Sequence, residues 1–89
     1  MQLPGSHLGP IYSHFTDGLF VGGMDIETAA AEGCDFSTAK RLLGAAGSVS
    51  FHHARTVHGS DLNRSSVPRR LLVIECVAGE QSQECGIFG

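Results

Sequence analysis

The feature that most constrains this chain is its one continuous apolar run. From Arg70 the sequence reads Leu71-Leu72-Val73-Ile74, then Glu75-Cys76-Val77. A run of this length and β-branched content reads as a strand covered on both faces. The chain has little with which to cover it. It is 89 residues long, has no Trp and one Tyr, and carries twelve glycines that raise the entropy cost of ordering. A chain this short buries only about 60–65% of its unfolded surface. The expectation is a single small domain with a thin core.

A second extended segment precedes the run. Ser48-Val49-Ser50-Phe51-His52-His53 alternates, with Val49, Phe51 and His53 on one face, and Ala54 to His58 continues it. Gly59 to Pro68 between them is a polar turn region. The pattern predicts two long antiparallel strands, over about 47–58 and 68–77. Upstream, residues 1–23 read as loop-rich, with turn signals at Pro4-Gly5-Ser6 and Gly9-Pro10. Asp17-Gly18 and Gly22-Gly23 bracket the short apolar run Leu19-Phe20-Val21. Residues 25–32 predict a short helix, capped by Asp25 or Thr28 and ended by Gly33.

Charge and cysteine usage narrow the function classes. Six basic and nine acidic residues give a net charge of −3. That argues against nucleic acid or an anionic lipid surface as partner. No run approaches the roughly 18 apolar residues of a membrane span. Cys34, Cys76 and Cys85 are odd in number, form no C-x-x-C, and follow no basic or apolar leader. A reducing cytoplasmic or organellar compartment is expected rather than secretion, with the three as thiols; nothing in the sequence supports a Cys76–Cys85 bridge.

Two groups of residues could carry chemistry. His52, His53 and His58 fall within seven positions, and imidazole is both the commonest metal ligand and the usual acid/base group. Each also reads as a hydrogen-bonded structural histidine. His53 and His58 are five apart, so on a continuous strand they face opposite sides. Arg69 and Arg70 open the apolar run. One of them points to the interior face and needs a partner there, or the pair caps a sheet edge. His14 and Asp17 form H-x-x-D, and His14 reads as a loop residue. No Walker A, G-x-S-x-G or H-E-x-x-H spacing occurs.

Taken together, the motifs resemble a known family. Leu3-Pro4-Gly5-Ser6-His7 with Gly9-Pro10, then Gly47 through His53, Thr56-Val57-His58-Gly59-Ser60, Asn63 and Pro68-Arg69, look like the phytanoyl-CoA dioxygenase family. The resemblance runs over most of residues 3–76. It implies an iron(II)- and 2-oxoglutarate-dependent oxygenase on a double-stranded β-helix, a jelly-roll or cupin-like barrel, with ascorbate a candidate reductant. It implies His58 as the distal iron ligand of a two-His-one-carboxylate triad. It implies Arg69 as the clamp on the distal carboxylate of 2-oxoglutarate, Ser60 as a hydroxyl on the same carboxylate, and His53 as a histidine that supports the ligand from behind.

The family's other two ligands come from an H-x-D pair ahead of the Pro4-Gly5-Ser6-His7 segment, and no H-x-D occurs in residues 1–89. The expectation is therefore the C-terminal portion of one oxygenase domain, inactive alone. Its substrate would be small or lipid-like. The alternative is a non-catalytic, degenerate jelly-roll module that binds or interacts, with open sheet edges able to pair with a strand of another chain.

Overall fold

The structure, a computed structural model, describes residues 1–79. Its organising contact is a three-segment ladder only a few residues long. Gln2 exchanges both backbone hydrogen bonds with Lys40, N–H to O=C at 2.9 Å and the reverse at 2.7 Å. On the other side of the same segment, Leu3 N–H donates to Val57 O at 2.9 Å and Gly59 N–H to Met1 O at 3.0 Å. Gln2 thus lies antiparallel between Lys40 and His58. The terminal ammonium of Met1 adds a bond to Gly59 O at 2.8 Å.

The elements between these segments form on local signals. Phe15–Thr16 (β1) and Leu19–Phe20 (β2) make a small antiparallel hairpin with Phe15 opposite Phe20. Its turn is Asp17-Gly18, with φ of 50° and 79°. A two-residue hairpin loop whose twist matches the strands needs positive φ at both positions, and Asp-Gly supplies it. The two phenylalanine rings meet edge-on, 5.5 Å apart.

Ile26–Ala31 (α1) is the predicted helix. Asp25 caps its start, its carboxylate accepting from Thr28 N–H at 2.9 Å and from the Thr28 hydroxyl at 2.6 Å. Its end closes with Cys34 N–H on Ala29 O at 2.9 Å and Gly33 N–H on Ala30 O at 3.1 Å, with Gly33 at φ 99°. That is a Schellman closure, and the apolar contact that accompanies it is Ala29 with Cys34. A 3-10 turn at Phe36–Thr38 then leads the chain to Lys40.

The core sits where the ladder meets α1. Leu3, Ala29, Cys34 and Val57 are the buried hydrophobic residues, with Tyr12, Met24, Phe36 and Ala39 packed against them. Desolvation of the half-buried Tyr12 raises its hydroxyl above the usual value of 10.0, and Cys34 and then Glu32 add to the shift. The accessible surface is 8008 Å². A compact protein of this size exposes about 5,000 Å². The core is as thin as the composition predicts. No helix among the described residues is long and apolar enough to cross a membrane.

The jelly-roll expectation is corrected here. The described residues hold two short antiparallel strands and one short helix, and the sheet neither curls nor closes. The long strands expected over 47–58 and 68–77 do not form, and Phe51 is 92% exposed and Leu72 84%. The physical reason is that alternation specifies which side chains share a face but supplies no partner backbone. The backbone at residues 57–59 is taken by residues 1–3 instead. Cys34 is buried and Cys76 exposed. Cys85 lies outside the described residues.

The caps set an acid limit on α1. The Thr28 hydroxyl, then the Thr28 N–H, hold the Asp25 carboxyl below its ordinary 3.8, and Ser37 does the same for Asp35. A depressed carboxyl stabilises the fold above its unfolded value and ceases to do so as pH falls through the folded value. We expect the helical Cα shifts of residues 26–31 to be constant from about pH 7 down to about pH 4 and to fade below it. Asp25→Ala should fade them already at neutral pH. Unchanged shifts in Asp25→Ala would contradict the cap.

Candidate functional site

The two motif blocks, 48 residues apart at Gly9 and Val57, face each other across the ladder. Pro4-Gly5 turns the chain into a 3-10 turn at Ser6–Leu8. This brings the Ser6 hydroxyl inward, where it donates to Leu3 O at 2.7 Å and accepts from Val57 N–H at 2.8 Å. One hydroxyl therefore ties both blocks together and satisfies a backbone N–H that the buried Val57 would otherwise strand. Arg55 adds a bond from its guanidinium to Gly9 O at 2.7 Å. The rings of His7 and His53 lie 5.5 Å apart, tilted against one another.

The hydrogen bonds distinguish the three histidines of the segment. His58 Nδ1 lies 2.7 Å from Thr56 O. A carbonyl only accepts, so Nδ1 carries the proton and Nε2 keeps its lone pair. His52 Nδ1 lies 2.8 Å from the Gln2 amide nitrogen. An amide nitrogen only donates, so the neutral ring holds its proton on Nε2. His53 Nδ1 accepts from Arg55 N–H at 3.1 Å, with the same consequence. Of the three, His58 is held in the tautomer whose outer nitrogen is a metal donor.

The structure places the predicted site residues unevenly. His58 and Ser60 share an open cavity of about 690 Å³, floored by Leu3, Tyr12, Met24 and Phe36. His53 stands on the Arg55 side of the segment, against His7. Arg69 lies in the exposed segment after the Asn63–Val67 turn, whose Asn63 amide donates to Val67 O at 2.8 Å. It is not among the residues that line the cavity. His52 is an addition: its ring centroid is 4.5 Å from that of His58, and Gln2 fixes its orientation. No local signal could have paired it with Gln2, fifty positions away.

The donor set of the described residues does not fit a three-ligand iron centre. Among the described residues no group of three or more His, Cys, Asp or Glu is placed to hold a metal ion. His58 offers one imidazole nitrogen, with no carboxylate beside it. His14 instead stands by the hairpin, 6.4 Å from the Phe20 ring, and Asp17 forms the hairpin turn.

Comparison with known proteins agrees with the motif blocks. Residues 1–71 match the phytanoyl-CoA dioxygenase family. The chain is 36% identical, over a 91-residue alignment, to a probable alpha-ketoglutarate-dependent hypophosphite dioxygenase of Stutzerimonas stutzeri. The alignment covers 98% of this chain and 32% of that protein, so the chain spans about a third of the relative's length. No solved structure matches the chain significantly. The expected resemblance to the family's C-terminal part alone is corrected: the match occupies the N-terminal 80% of this chain, from its first residue to residue 71. The chain belongs to the phytanoyl-CoA dioxygenase family.

Proposed function

We propose that this chain carries metal- and cosubstrate-binding residues of an iron(II)- and 2-oxoglutarate-dependent dioxygenase, a hydroxylase, and that the 89 residues alone do not turn over. The observation that carries the reading is the docking of the Leu3–Gly9 block on the Arg55–Gly59 block, which leaves His58 Nε2 as a free donor beside a cavity. In this reading His58 is one iron ligand. Arg69 meets the distal carboxylate of 2-oxoglutarate with its planar fork, and Ser60 donates its hydroxyl to the same group. His53 supports the segment that presents His58.

The substrate is a small molecule, in keeping with the relative's description as a hypophosphite dioxygenase, rather than a lipid-like one. The compartment is a reducing one. A second reading, a binding or interaction module without catalysis, draws on the described residues, among which no group of three or more His, Cys, Asp or Glu is placed to hold a metal ion.

Two experiments test the proposal, and the second separates it from the non-catalytic reading. The 89-residue chain, given iron(II), ascorbate and 2-oxoglutarate, should form no succinate above a blank of metal and ascorbate. Robust turnover would overturn the reading and point to a ligand set that includes His14, Asp17, His52 or His53. In the second, the chain is joined to a segment bearing an H-x-D pair. There His58→Ala should abolish both iron occupancy and turnover. Arg69→Ala should leave iron bound but weaken 2-oxoglutarate by about 10- to 150-fold, the worth of a charge-assisted pair of roughly 1.5–3 kcal/mol. Arg69→Lys should restore binding only in part, because a point charge cannot reproduce the fork. Arg70→Ala should change little. Sensitivity at Arg70 instead of Arg69, or at neither, would overturn the assignment.

A further inference from the structure

Beyond the oxygenase reading, the segment 68–77 stands unpartnered among the described residues. Leu71, Leu72, Val73 and Ile74 are each at least 66% exposed. Among the described residues no hydrogen bond joins the backbone of 68–77 to another segment, and no ion pair or hydrogen bond engages Arg69 or Glu75. Four consecutive exposed apolar residues with open backbone donors and acceptors form a template for another strand.

The charges indicate which strand. When two copies of one segment pair antiparallel about a two-fold axis, neighbouring residue pairs alternate between hydrogen-bonded and non-hydrogen-bonded types. Odd registers would make two symmetry-equivalent neighbouring pairs differ in type, so a residue at the centre must face its own copy. Centring on Leu72 puts Arg69 opposite Glu75 of the second copy, and Glu75 opposite its Arg69. On that same face Leu71 and Val73 face each other between the two ion pairs. On the other face Leu72 meets its copy, flanked by Arg70 with Ile74. Centring on Leu71 sets Arg69 against Val73, and centring on Val73 sets Glu75 against Leu71. Neither joins unlike charges.

We propose that residues 69–75 are a self-complementary strand through which two copies of this chain associate, antiparallel and centred on Leu72, with reciprocal Arg69–Glu75 pairs. In that dimer Arg69 is occupied by Glu75 of the second copy, so association and 2-oxoglutarate binding compete for one guanidinium. A lone two-stranded ribbon is marginal in water, so the association is weak and rises with concentration.

The test is sedimentation velocity on the full 89-residue chain across a concentration series, in reductant so that a dimer linked through Cys76 does not count. The natural chain should show reversible monomer–dimer exchange. Arg69→Glu and Glu75→Arg each bring like charges together twice and should each weaken association by about 4- to 30-fold. An equimolar mixture of the two variants restores both ion pairs across a mixed dimer and should recover the natural affinity. So should the double variant R69E/E75R alone. The mixture also controls for folding, since two misfolded chains would not recover association. Equal self-association by all variants would mean indiscriminate hydrophobic contact and would overturn the proposal. So would a natural chain that stays monomeric throughout, or a mixture no stronger than its components.

Discussion

The structure depends on the backbone of Gln2, which has a hydrogen-bonded neighbour on each side. Lys40 lies on one side and the Val57–Gly59 segment on the other. Without that central segment, the buried cluster that Ala29 and Cys34 bring from the end of α1 would lose Leu3 and its link to Val57. Leu3 follows Gln2 directly, and its side chain completes the buried cluster with Val57. The two ends of the core are 54 positions apart in the chain and meet through this short ladder, with the Ser6 and Arg55 side chains adding one bond each. A few hydrogen bonds and a handful of apolar side chains thus hold everything the site needs, while the accessible surface stays well above that of a compact protein of equal length.

The same contact arranges the chemistry. Because Leu3 is fixed against Val57, the Ser6 hydroxyl can bridge the two motif blocks, and residues 53–58 adopt the turn in which His53 O accepts from Thr56 N–H at 2.9 Å. That turn brings Thr56 O to His58 Nδ1 and so directs the His58 lone pair outward on Nε2. The site is therefore a consequence of backbone pairing rather than of a prebuilt cage. It offers one donor, a serine and a cavity, and it leaves Arg69 on a separate, exposed segment.

What was legible in the sequence follows from the range of the interactions. The helix at 25–32 could be read because its signals are local: Asp25 three residues before Thr28, and Gly33 one residue beyond the last turn. The motif residues could be read because their types and spacings carry the family resemblance. The jelly-roll could not, because period two in residues 48–53 fixes a face and leaves the partner open. Residues 1–3, read as loop, supply the middle of the ladder. They carry no alternation long enough to register. The β1–β2 hairpin has a local signal in Asp17-Gly18, but as one bracket of the run Leu19-Phe20-Val21 that signal marks a turn without naming Phe15-Thr16 as the second strand. The contact between His52 and Gln2 spans fifty positions and has no sequence signature.

Hydrogen exchange on the natural chain at low concentration tests the central ladder most directly. The amides of Leu3, Lys40 and Gly59 donate within it, the Val57 amide donates to the adjoining Ser6 hydroxyl, and all four should exchange slowly and together. Ser6→Ala removes the acceptor of the Val57 amide, and all four should then speed up as one unit. The amides of residues 71–76 should exchange fast throughout. Protection at 71–76 with fast exchange at Leu3, Lys40, Val57 and Gly59 would contradict the account, because it would place the organising sheet in the apolar run instead of around Gln2.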